Sequence, residues 1–290
     1  MPRARRAGIE QIQEFRSEHR TAKHASKSFT QLQPRVALVT GSTSGIGRGI
    51  ARALAGAGAA IVLNGFGDRA EIAMIENAIH HDFGVPVSYS DADMSSPSAT
   101  ARMIETMVVE FGRLDILVNN AGIQHVAPVT EFPIEKWDAI LAINLSSAFH
   151  TIRTALPLMR KHGFGRILNI ASAHGLVGSP FKSAYVAAKH GLLGLTKAVA
   201  LECAEEAITV NAICPGYVAT PLVEKQIDAQ AQAHGISRDQ VICDVLLAQQ
   251  PNKRFVTVEE LGAMAVFLAG DMGASTTDAS FVMDGGWTAH

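Results

Sequence analysis

The chain has 290 residues, of which 48% are apolar and 18% are charged, and its formal net charge is −2. This length fits one large α/β domain with an appendage, and the low charge excludes a disordered chain and an electrostatic nucleic-acid binder. The sequence contains no apolar run of the roughly 18 residues that a membrane span requires, and no apolar signal segment near its start. Its three cysteines lack C-x-x-C spacing, which favours reduced thiols in the cytoplasm over a disulfide framework or a zinc site.

A basic N-terminal arm precedes an acidic body. Residues 1–30 contain seven Arg and Lys against three Glu, a net charge of +4, which leaves −6 for the remainder. We interpret residues 1–33 as a flexible, solvated extension, because basic tails usually carry no specific partner. Two alternatives remain open: an Arg-rich targeting address, against which the Glu residues argue, and a weak amphipathic helix through Ile9, Ile12 and Phe15 that docks on a neighbour.

From residue 34 onward, short apolar runs alternate with segments of helical length. The strand-length runs are 36–39, 60–63, 85–89, 114–118, 166–170, 208–213 and 281–283. The predicted helices are 47–57, 69–81, 98–111, 134–156, 183–202 and 258–269. This alternation predicts right-handed crossovers, and hence a single α/β domain over 34–290 with a Rossmann-like, doubly wound parallel sheet of about seven strands. The Gln-rich stretch from 216 to about 253 has the length of a lid inserted over a site.

The first predicted strand ends in a glycine-rich turn at residues 40–47, Thr-Gly-Ser-Thr-Ser-Gly-Ile-Gly. Glycines allow the backbone to turn sharply and approach a pyrophosphate, and the helix that follows offers free N–H groups and a positive dipole end. Because the turn follows the first strand of a β-α-β pattern, the sequence predicts a dinucleotide site there. The turn lacks the terminal Gly-Lys-Ser/Thr of a nucleotide triphosphate loop.

A second pattern suggests the chemistry of this site. Tyr185 and Lys189 are four residues apart on one predicted helix, so they share a face. A free tyrosine, with a pKa of about 10, is a poor base near neutral pH, whereas a nearby ammonium favours the phenolate and lowers that pKa. Ser172, at the end of a predicted strand, can donate to a substrate oxygen. Such a Tyr–Lys pair alone is typical of an ordinary surface, and it is the glycine-rich turn and Ser172 that favour catalysis.

With further motifs in the same order, the chain resembles the short-chain dehydrogenase/reductase family over residues 34–290. The glycine-rich turn has the spacing G-x-x-x-G-x-G. The motifs that follow it are Asp93-Met94, Asn119-Asn120-Ala121-Gly122, Asn144, Ser172, Tyr185-Val186-Ala187-Ala188-Lys189 and Pro215-Gly216. Six motifs in one order are a specific signal, although none would be specific alone.

This resemblance implies a role for each member of the catalytic group. Tyr185 is expected to be the general acid/base, and Lys189 to lower its pKa and hold the nicotinamide ribose. Ser172 is expected to orient the substrate oxygen, and Asn144 to hold a water that relays protons. The reaction implied is hydride transfer with a nicotinamide cofactor, which needs no metal. Family members are commonly tetramers, so we expect a homotetramer.

The same resemblance implies a cofactor-binding set. Its members are Gly41, Thr43, Ser44, Gly45, Ile46, Gly47, Phe66, Asp93, Met94, Asn120, Gly122, Tyr185, Lys189, Pro215, Gly216 and Val218. The second predicted strand has no acid directly at its end, where NAD enzymes usually carry a ribose-binding carboxylate. We expect NAD, but NADP stays open because Arg48 and Arg69 are nearby cations that could hold a 2′-phosphate.

Several loops resemble, more narrowly, the branch of this family that interconverts (R)-3-hydroxybutyrate and acetoacetate. The segments that carry this resemblance are 63–67, 121–128, 173–177, 179–185 and 220–227. It implies that the hydroxy acid or keto acid lies beside Ser172 and Tyr185, with its carboxylate bound by Gln124, His174, Lys182 and Gln226. Lys182 supplies charge, and the amides and the imidazole supply directed donors. Trp287 is expected to wall the pocket, from this or another subunit.

Other functions stay open at this stage. The first is an NADPH-dependent 3-oxoacyl-thioester reductase or a polyol dehydrogenase of the same family. A thioester has no free carboxylate, so a carboxylate-binding set would lack a purpose in it. The second is a catalytically silent, nicotinamide-binding regulatory protein, against which the intact Ser-Tyr-Lys set argues. Tyr217 stands where the family often has tryptophan, and the N-terminal arm has no family counterpart.

Overall fold

The chain forms one parallel sheet flanked by helices. The computed structural model describes residues 32–220, 223–224, 227–228, 231–232 and 235–289. The strands in these residues are β1 (Val36–Val39), β2 (Ala60–Asn64), β3 (Val87–Ser90), β4 (Ile116–Asn119), β5 (Gly165–Ile170), β6 (Ile208–Pro215) and β7 (Ser280–Met283). They pair in parallel in the order β3-β2-β1-β4-β5-β6-β7, which confirms the predicted Rossmann-like sheet.

Helices connect successive strands. The longer ones are α1 (Gly45–Gly56), α2 (Arg69–Phe83), α3 (Pro97–Phe111), α4 (Ile134–Leu141), α5 (Ser147–His162), α6 (Ser183–Glu202) and α7 (Val258–Ala269). Side-chain caps explain where three of them begin, since Asp68 caps α2, Ser96 caps α3, and Thr257 caps α7 in a reciprocal pair with Glu260. In the part of the chain that the structure describes, no helix is long and apolar enough to cross a membrane.

The core lies on both faces of the sheet. β1, β4, β5 and β6 are buried at every position, because helices cover them on either side. One face packs against α1 and α7, with Leu54 and Leu261 in its core, and the other packs against α3 and α5, with Ile104 and Ile152. Residues of the central strands are therefore buried along their length, and the chain becomes accessible to ligands beyond the strand ends.

Buried polar side chains join β4 and β5 to the helices beside them. Thr151 of α5 donates to Asn119 Oδ1 (2.6 Å), and Asn119 Nδ2 donates to Asn169 Oδ1 (2.9 Å). Asn169 Nδ2 donates in turn to Thr196 Oγ1 of α6 (2.9 Å). These bonds satisfy the four side chains inside the core. They also fix the carboxyl ends of β4 and β5 relative to α5 and α6.

Several boundaries differ by one or more residues from the predicted ones, and three of them show why. β3 and β4 each begin two residues later than predicted, because Val85 and Leu114 are buried outside the strand ladder and lengthen the apolar run. Leu32, two residues before the predicted start of the domain at residue 34, is 2% exposed and packs in the core. An apolar run thus marks burial more reliably than it marks the first residue of a strand.

The predicted helix 134–156 is interrupted and longer than expected. It runs as α4, a π-helical stretch at Ala142–Ser146, and α5, which ends at His162. A π-helical turn displaces one residue from the regular ladder and is frequent at functional sites. Here it contains Asn144, whose side-chain bonds are described with the site below. Apolar periodicity cannot reveal such a one-residue insertion.

The predicted lid contains a small apolar cluster of its own. A short helix at Arg238–Gln240 continues as a π-helical stretch at Val241–Leu246. Ile227, Val241 and Leu246 are buried together, and Tyr217 packs against them. Residues 1–31, with the predicted basic extension, and several lid residues, Gln226 among them, lie outside the described residues.

Asp115 stabilises the edge of the sheet where the strands begin, and its hydrogen bonds can be tested by substitution. This buried carboxylate accepts from Val36 N (2.8 Å) and from both Nε and Nη2 of Arg113 (2.7 and 2.6 Å). Asp115→Asn should lower the free energy of unfolding by about 2 kcal/mol, because hydrogen bonds to a charged group are lost. Urea unfolding measures the change, with the exposed Thr130→Ala as the matched control. An Asp115→Asn midpoint equal to that of the parent would contradict the prediction.

Candidate active site

A cavity of about 510 Å³ opens at the carboxyl ends of the strands, the edge where parallel sheets bind ligands. The predicted site residues that line it are Gly41, Thr43, Ser44, Gly45, Ile46, Phe66, Asp93, Met94, Asn120, Gly122, Gln124, Ser172, His174, Lys182, Tyr185, Lys189, Pro215, Gly216, Val218 and Trp287. Of the other three, Gly47 and Asn144 lie behind the lining, and Gln226 lies outside the described residues.

The first turn of α1 presents main-chain donors to the cavity. Ser44, its N-cap residue, makes no side-chain cap, whereas Asp68 caps α2 at 2.8 Å. The first N–H groups of a helix have no intrahelical partner, so those of α1 are free for an anion. Ser44, Gly45 and Ile46 all line the cavity. This turn fits the pyrophosphate of a dinucleotide.

Gly47 shapes this turn without lining the cavity. A Cβ at Gly47 would collide with Asn120 Nδ2 and with the carbonyl oxygen of Gly41. Asn120 Nδ2 donates to the carbonyl oxygens of Thr40 (2.8 Å) and Gly41 (3.0 Å), which ties the glycine-rich turn to the segment after β4. The absence of a side chain at Gly47 is therefore what allows these two segments to meet.

Asn64, at the end of β2, is a site residue to which the sequence analysis gave no role. It is fully buried and lines the cavity with its neighbours. Its Oδ1 accepts from Gly41 N (3.3 Å), and its Nδ2 donates to the carbonyl oxygens of Ser90 (3.2 Å) and Ala92 (2.9 Å). The sequence signal that could have identified Asn64 is its position as a polar residue at the end of a buried apolar run.

The end of β2 carries no free cation toward the cavity. Phe66 lines the cavity and is 67% exposed, in a position to pack on an adenosine. Asp68 is engaged as the cap of α2, and the Arg69 guanidinium lies 4.7 Å from the centroid of the Tyr89 ring. Among the described residues that line the cavity there is no arginine, so a 2′-phosphate would lack a guanidinium partner.

Three of the four predicted catalytic side chains, Ser172, Tyr185 and Lys189, line the cavity together. Tyr185 and Lys189 lie in the first two turns of α6, and Ser172 follows β5. Lys189 Nζ lies 5.6 Å from the centroid of the Tyr185 ring and donates to the carbonyl oxygen of Ile170 at 2.6 Å. Ser172 Oγ accepts from the main-chain N–H of His174 (3.2 Å). This arrangement places a proton carrier, a donor and a cation side by side.

The pKa of Tyr185 is raised in the protein alone, and the expected lowering of that pKa by Lys189 stays a prediction. Burial raises the pKa of Tyr185, and the influence of the Ser172 hydroxyl offsets part of that effect. Burial also lowers the pKa of Lys189 to about 8, so its ammonium loses its proton more easily than a solvated one. Desolvation is the largest contribution to both pKa shifts.

The residues predicted to bind a carboxylate differ in charge and exposure. Burial, with a further contribution from the positive charge of Lys182, lowers the pKa of His174 to about 4, so its imidazole is neutral at pH 7. Lys182 occupies the N-cap position of α6 without a side-chain cap, and burial lowers its pKa as well. Gln124 is exposed on the loop after β4. In this half of the cavity the formal positive charge therefore comes from Lys182, and His174 offers a neutral donor.

The loops that carry Gln124 and Lys182 are joined by one main-chain hydrogen bond. Ala127 N donates to the carbonyl oxygen of Phe181 at 2.9 Å. Phe181 has a φ of 64°, a left-handed conformation that bulky residues rarely adopt. This strained residue directly precedes Lys182, so it sets the direction from which Lys182 enters the cavity.

Trp287 lines the cavity from this same chain. Its ring lies edge-on to His174, with centroids 4.9 Å apart, and stacks on Tyr217 at 5.8 Å with an interplanar angle of 4°. Lys182 Nζ lies 5.7 Å from the centroid of the Tyr217 ring. The sequence analysis noted Tyr217 only as a departure from the family pattern, and the structure places it in an aromatic wall with Trp287.

Asn144 contacts the main chain beside the cavity. Its Oδ1 accepts from Ile123 N, and its Nδ2 donates to the carbonyl oxygen of Ile123, both at 2.9 Å. These two bonds fix the loop that carries Gly122 and Gln124. The role expected of Asn144 in holding a water stays a prediction.

The remaining lining residues carry little sequence signal. They are Gly65, Ala92, Ala121, Ile123, Ile143, Ile170, Ala171, Thr220 and Val223. Most of them present main chain or an ordinary apolar side chain, which has no distinctive pattern. His125, next to Gln124, lies edge-on to Phe132 at 5.3 Å and does not line the cavity.

Comparison with known proteins gives consistent matches. The sequence model of the short chain dehydrogenase family matches residues 35–231. A D-beta-hydroxybutyrate dehydrogenase from Rhizobium meliloti is 58% identical over 256 residues, which cover 88% of this chain and 99% of that protein. A protein of the same description from Cupriavidus necator is 55% identical over 263 residues, covering 89% of this chain and 100% of that protein.

Solved structures match over the same part of the chain. A protein from Sinorhizobium meliloti, described as a short-chain alcohol dehydrogenase, superposes with a TM-score of 0.78 at 35% identity, covering 90% of this chain and 99% of that one. A protein from Agrobacterium tumefaciens, described as a gluconate dehydrogenase, gives a TM-score of 0.81 at 34% identity, covering 91% and 100%.

Gly47→Ala tests the cofactor turn. The added Cβ would push apart the glycine-rich turn and Asn120, so NADH affinity should fall about tenfold or more, as expected when a binding turn is displaced. Fluorescence titration with NADH measures this. Gly194→Ala on α6 is the matched control, because a Cβ there meets nothing within 4 Å. If Gly47→Ala bound NADH as tightly as the parent, the close contact of Gly47 with Asn120 and Gly41 would not be required for cofactor binding.

Proposed function

The chain belongs to the short-chain dehydrogenase family, and on that basis we propose that it interconverts (R)-3-hydroxybutyrate and acetoacetate with NAD. The observation that carries the proposal is a partly buried lysine, Lys182, in the same cavity as Ser172 and Tyr185. A cation inside a pocket of this kind needs a counter-ion. A short hydroxy acid supplies one, a few ångströms from its reacting carbon.

The proposed proton transfer runs between the substrate hydroxyl and Tyr185. In oxidation, the hydroxyl proton passes to the Tyr185 phenolate while the hydride leaves C3 with its electron pair, and a ketone forms. Ser172 donates to the same substrate oxygen and orients it. When bound, the oxidised nicotinamide ring supplies the hydride acceptor and a further positive charge. Reduction reverses the path, with Tyr185 donating the proton.

Burial suits Tyr185 to the acid role and requires help in the base role. Because burial raises its pKa, the hydroxyl keeps its proton at neutral pH and is ready to donate it to a ketone. In the oxidative direction the phenolate must be stabilised by positive charge nearby. Lys189 supplies part of that charge, and its position beside the ring also allows it to hold a ribose.

In this proposal, one residue attracts the substrate carboxylate by its charge, and other residues orient it by hydrogen bonds. Lys182 provides the ionic attraction, the neutral imidazole of His174 donates one directed hydrogen bond, and Gln124 donates another from the opposite loop. Gln226 remains a predicted ligand from the lid. Asn144 is proposed to act through the Ile123 main chain, which holds the loop of Gln124 in place.

NAD is favoured over NADP by the residues at the end of β2. A 2′-phosphate would require a cation, and Arg69 lies against the Tyr89 ring outside the cavity lining. Arg48 does not line the cavity either. The loop after β2 therefore suits a ribose with a free hydroxyl.

The alternatives have less support from the same residues. A 3-oxoacyl thioester or a polyol has no carboxylate, so it would leave Lys182 without a counter-ion in its pocket. A silent nicotinamide-binding protein would have no need of Ser172, Tyr185 and Lys189 arranged around one point. These three side chains favour an enzyme.

The proposal extends to assembly and compartment. Exposed apolar side chains on α5, α7 and β7, such as Phe149, Phe267 and Val282, are the surfaces that a homotetramer would cover. All three cysteines lie within the described residues as free thiols, as expected of a cytoplasmic protein. No nucleic-acid or membrane partner forms part of the proposal.

The decisive experiment follows NADH formation by its near-ultraviolet absorbance. Purified protein should turn over (R)-3-hydroxybutyrate with NAD, and should show little or no turnover with the (S)-isomer or with NADP. Tyr185→Phe should bind NADH without turnover, because it keeps the ring and loses the proton-carrying hydroxyl. Turnover of a 3-oxoacyl thioester with NADPH, and none of the hydroxy acid, would replace the proposal with the thioester alternative.

Lys182→Met tests the carboxylate site. The variant keeps most of the side-chain length and removes the charge, so KM for hydroxybutyrate should rise about tenfold or more while kcat changes little. Lys161→Met, exposed at the end of α5, is the matched control and should leave both constants unchanged. An unchanged KM in Lys182→Met would remove Lys182 from the substrate site.

A further inference from the structure

A buried carboxylate lies directly behind the aromatic wall of the cavity. Asp284 follows β7 and is 5% exposed. It does not line the cavity, and no step of the proposed reaction uses it. A buried acid without a counter-ion requires hydrogen bonds, and these bonds indicate what it holds.

Among the described residues, the hydrogen-bond partners of its side chain lie within the next four positions. Asp284 Oδ1 accepts from Gly286 N at 2.9 Å, and Oδ2 accepts from Thr288 N at 2.8 Å and from Thr288 Oγ1 at 2.7 Å. The carbonyl oxygen of Asp284 also accepts from Trp287 N at 3.3 Å. The chain after β7 is therefore wound around this one carboxylate.

Trp287 is located between the two residues that the carboxylate anchors, Gly286 and Thr288. Gly285 and Gly286 have φ values of 63° and 92°, which allow the turn to close within so few residues. With both neighbours bound to Asp284, the Trp287 main chain has little freedom. Its ring is thereby directed against His174 and Tyr217, the contacts that form the wall.

The segment that carries Tyr217 packs against the same carboxylate residue. Gly216 N donates to the carbonyl oxygen of Met283 at 3.0 Å, and a Cβ at Gly216 would lie 3.0 Å from the Cα of Asp284. Both aromatic rings of the wall thus come from main chain that meets at Asp284. A change in the turn after β7 would move Trp287 relative to Tyr217 and His174.

We propose that Asp284 is a positioning residue for the substrate pocket, which holds Trp287 in place through the turn of residues 285–288. Trp287 in turn fixes the ring of His174 and closes the pocket around a short acid. The proposal rests on the proposed function for its substrate, but the placement of Trp287 can be measured without any substrate. It predicts that loss of the Asp284 bonds weakens substrate binding more than the chemical step.

The test uses Asp284→Asn in a Trp137→Phe background, where Trp287 is the one remaining tryptophan of the two in the chain. In the variant, the NH2 group of the asparagine would face the N–H and O–H groups of Thr288, which now donate to Oδ2, so those two hydrogen bonds would be lost. The Trp287 emission should shift to longer wavelength, and KM for hydroxybutyrate should rise about tenfold while kcat stays within about threefold. NADH affinity should change less than KM, because the bonds that are lost run to Gly286 and Thr288 and not to the glycine-rich turn before α1.

Two further variants separate positioning from a general loss of stability. Asp115→Asn removes a buried charge at the opposite edge of the sheet and should lower the urea midpoint without changing the Trp287 emission or KM. Thr288→Val keeps the carboxylate and removes one of its bonds, so it should produce a smaller shift of the same kind, and Thr288→Ser should restore the parent values. If Asp284→Asn does not fold, the Trp287 emission and KM of Thr288→Val test the positioning role in its place.

The outcomes are distinguishable. Parent-like emission and KM in Asp284→Asn, or a lowered urea midpoint with no other change, would overturn the positioning role. A fall in kcat with unchanged KM would overturn it as well. If the parent protein turned over no hydroxy acid, the proposed function would fail, and the emission of Asp284→Asn against Asp115→Asn would still decide whether Asp284 places Trp287.

Discussion

All seven strands run in the same direction, and this constraint decides where polar chemistry can occur in the molecule. Helices cover both faces of the sheet, so the chain leaves the apolar interior at the strand ends, where main-chain groups lose their ladder partners. Asn64, Asn119 and Asn169 lie near those ends and satisfy carbonyls or one another through their amides. The rigid edge they form is the frame on which the loops of the cavity rest.

Burial acts on Tyr185 and on the three basic side chains near it in the same sense, toward the uncharged form. It raises the pKa of Tyr185 and lowers those of His174, Lys182 and Lys189. In the protein alone, burial therefore opposes the charged form of each of these four side chains. A carboxylate substrate and a cationic nicotinamide restore opposite charges on the two sides of Tyr185, so each ligand creates the electrostatic setting that the other requires.

The sequence was sufficient for the fold and for most of the cavity, because both depend on local signals. Strand runs, helix lengths and the glycine-rich turn are read over a few residues, and each reappears close to its predicted place. Contacts between distant segments carry no such signal. The stack of Tyr217 on Trp287, the bonds of Asn144 to Ile123 and the direction of the Tyr185 pKa shift all arise from tertiary packing. They could be recognised only once the neighbours were known.

The uncapped start of α1 has a consequence for how this protein can change. An aspartate at Ser44 would cap the helix and add roughly 1 kcal/mol of stability, as such caps generally do. The same carboxylate would stand where the N–H groups face the cavity and would repel a pyrophosphate. Selection for thermal stability and selection for cofactor affinity therefore oppose each other at this residue. At Ser44, the stability of the helix could therefore be increased only at the expense of cofactor binding.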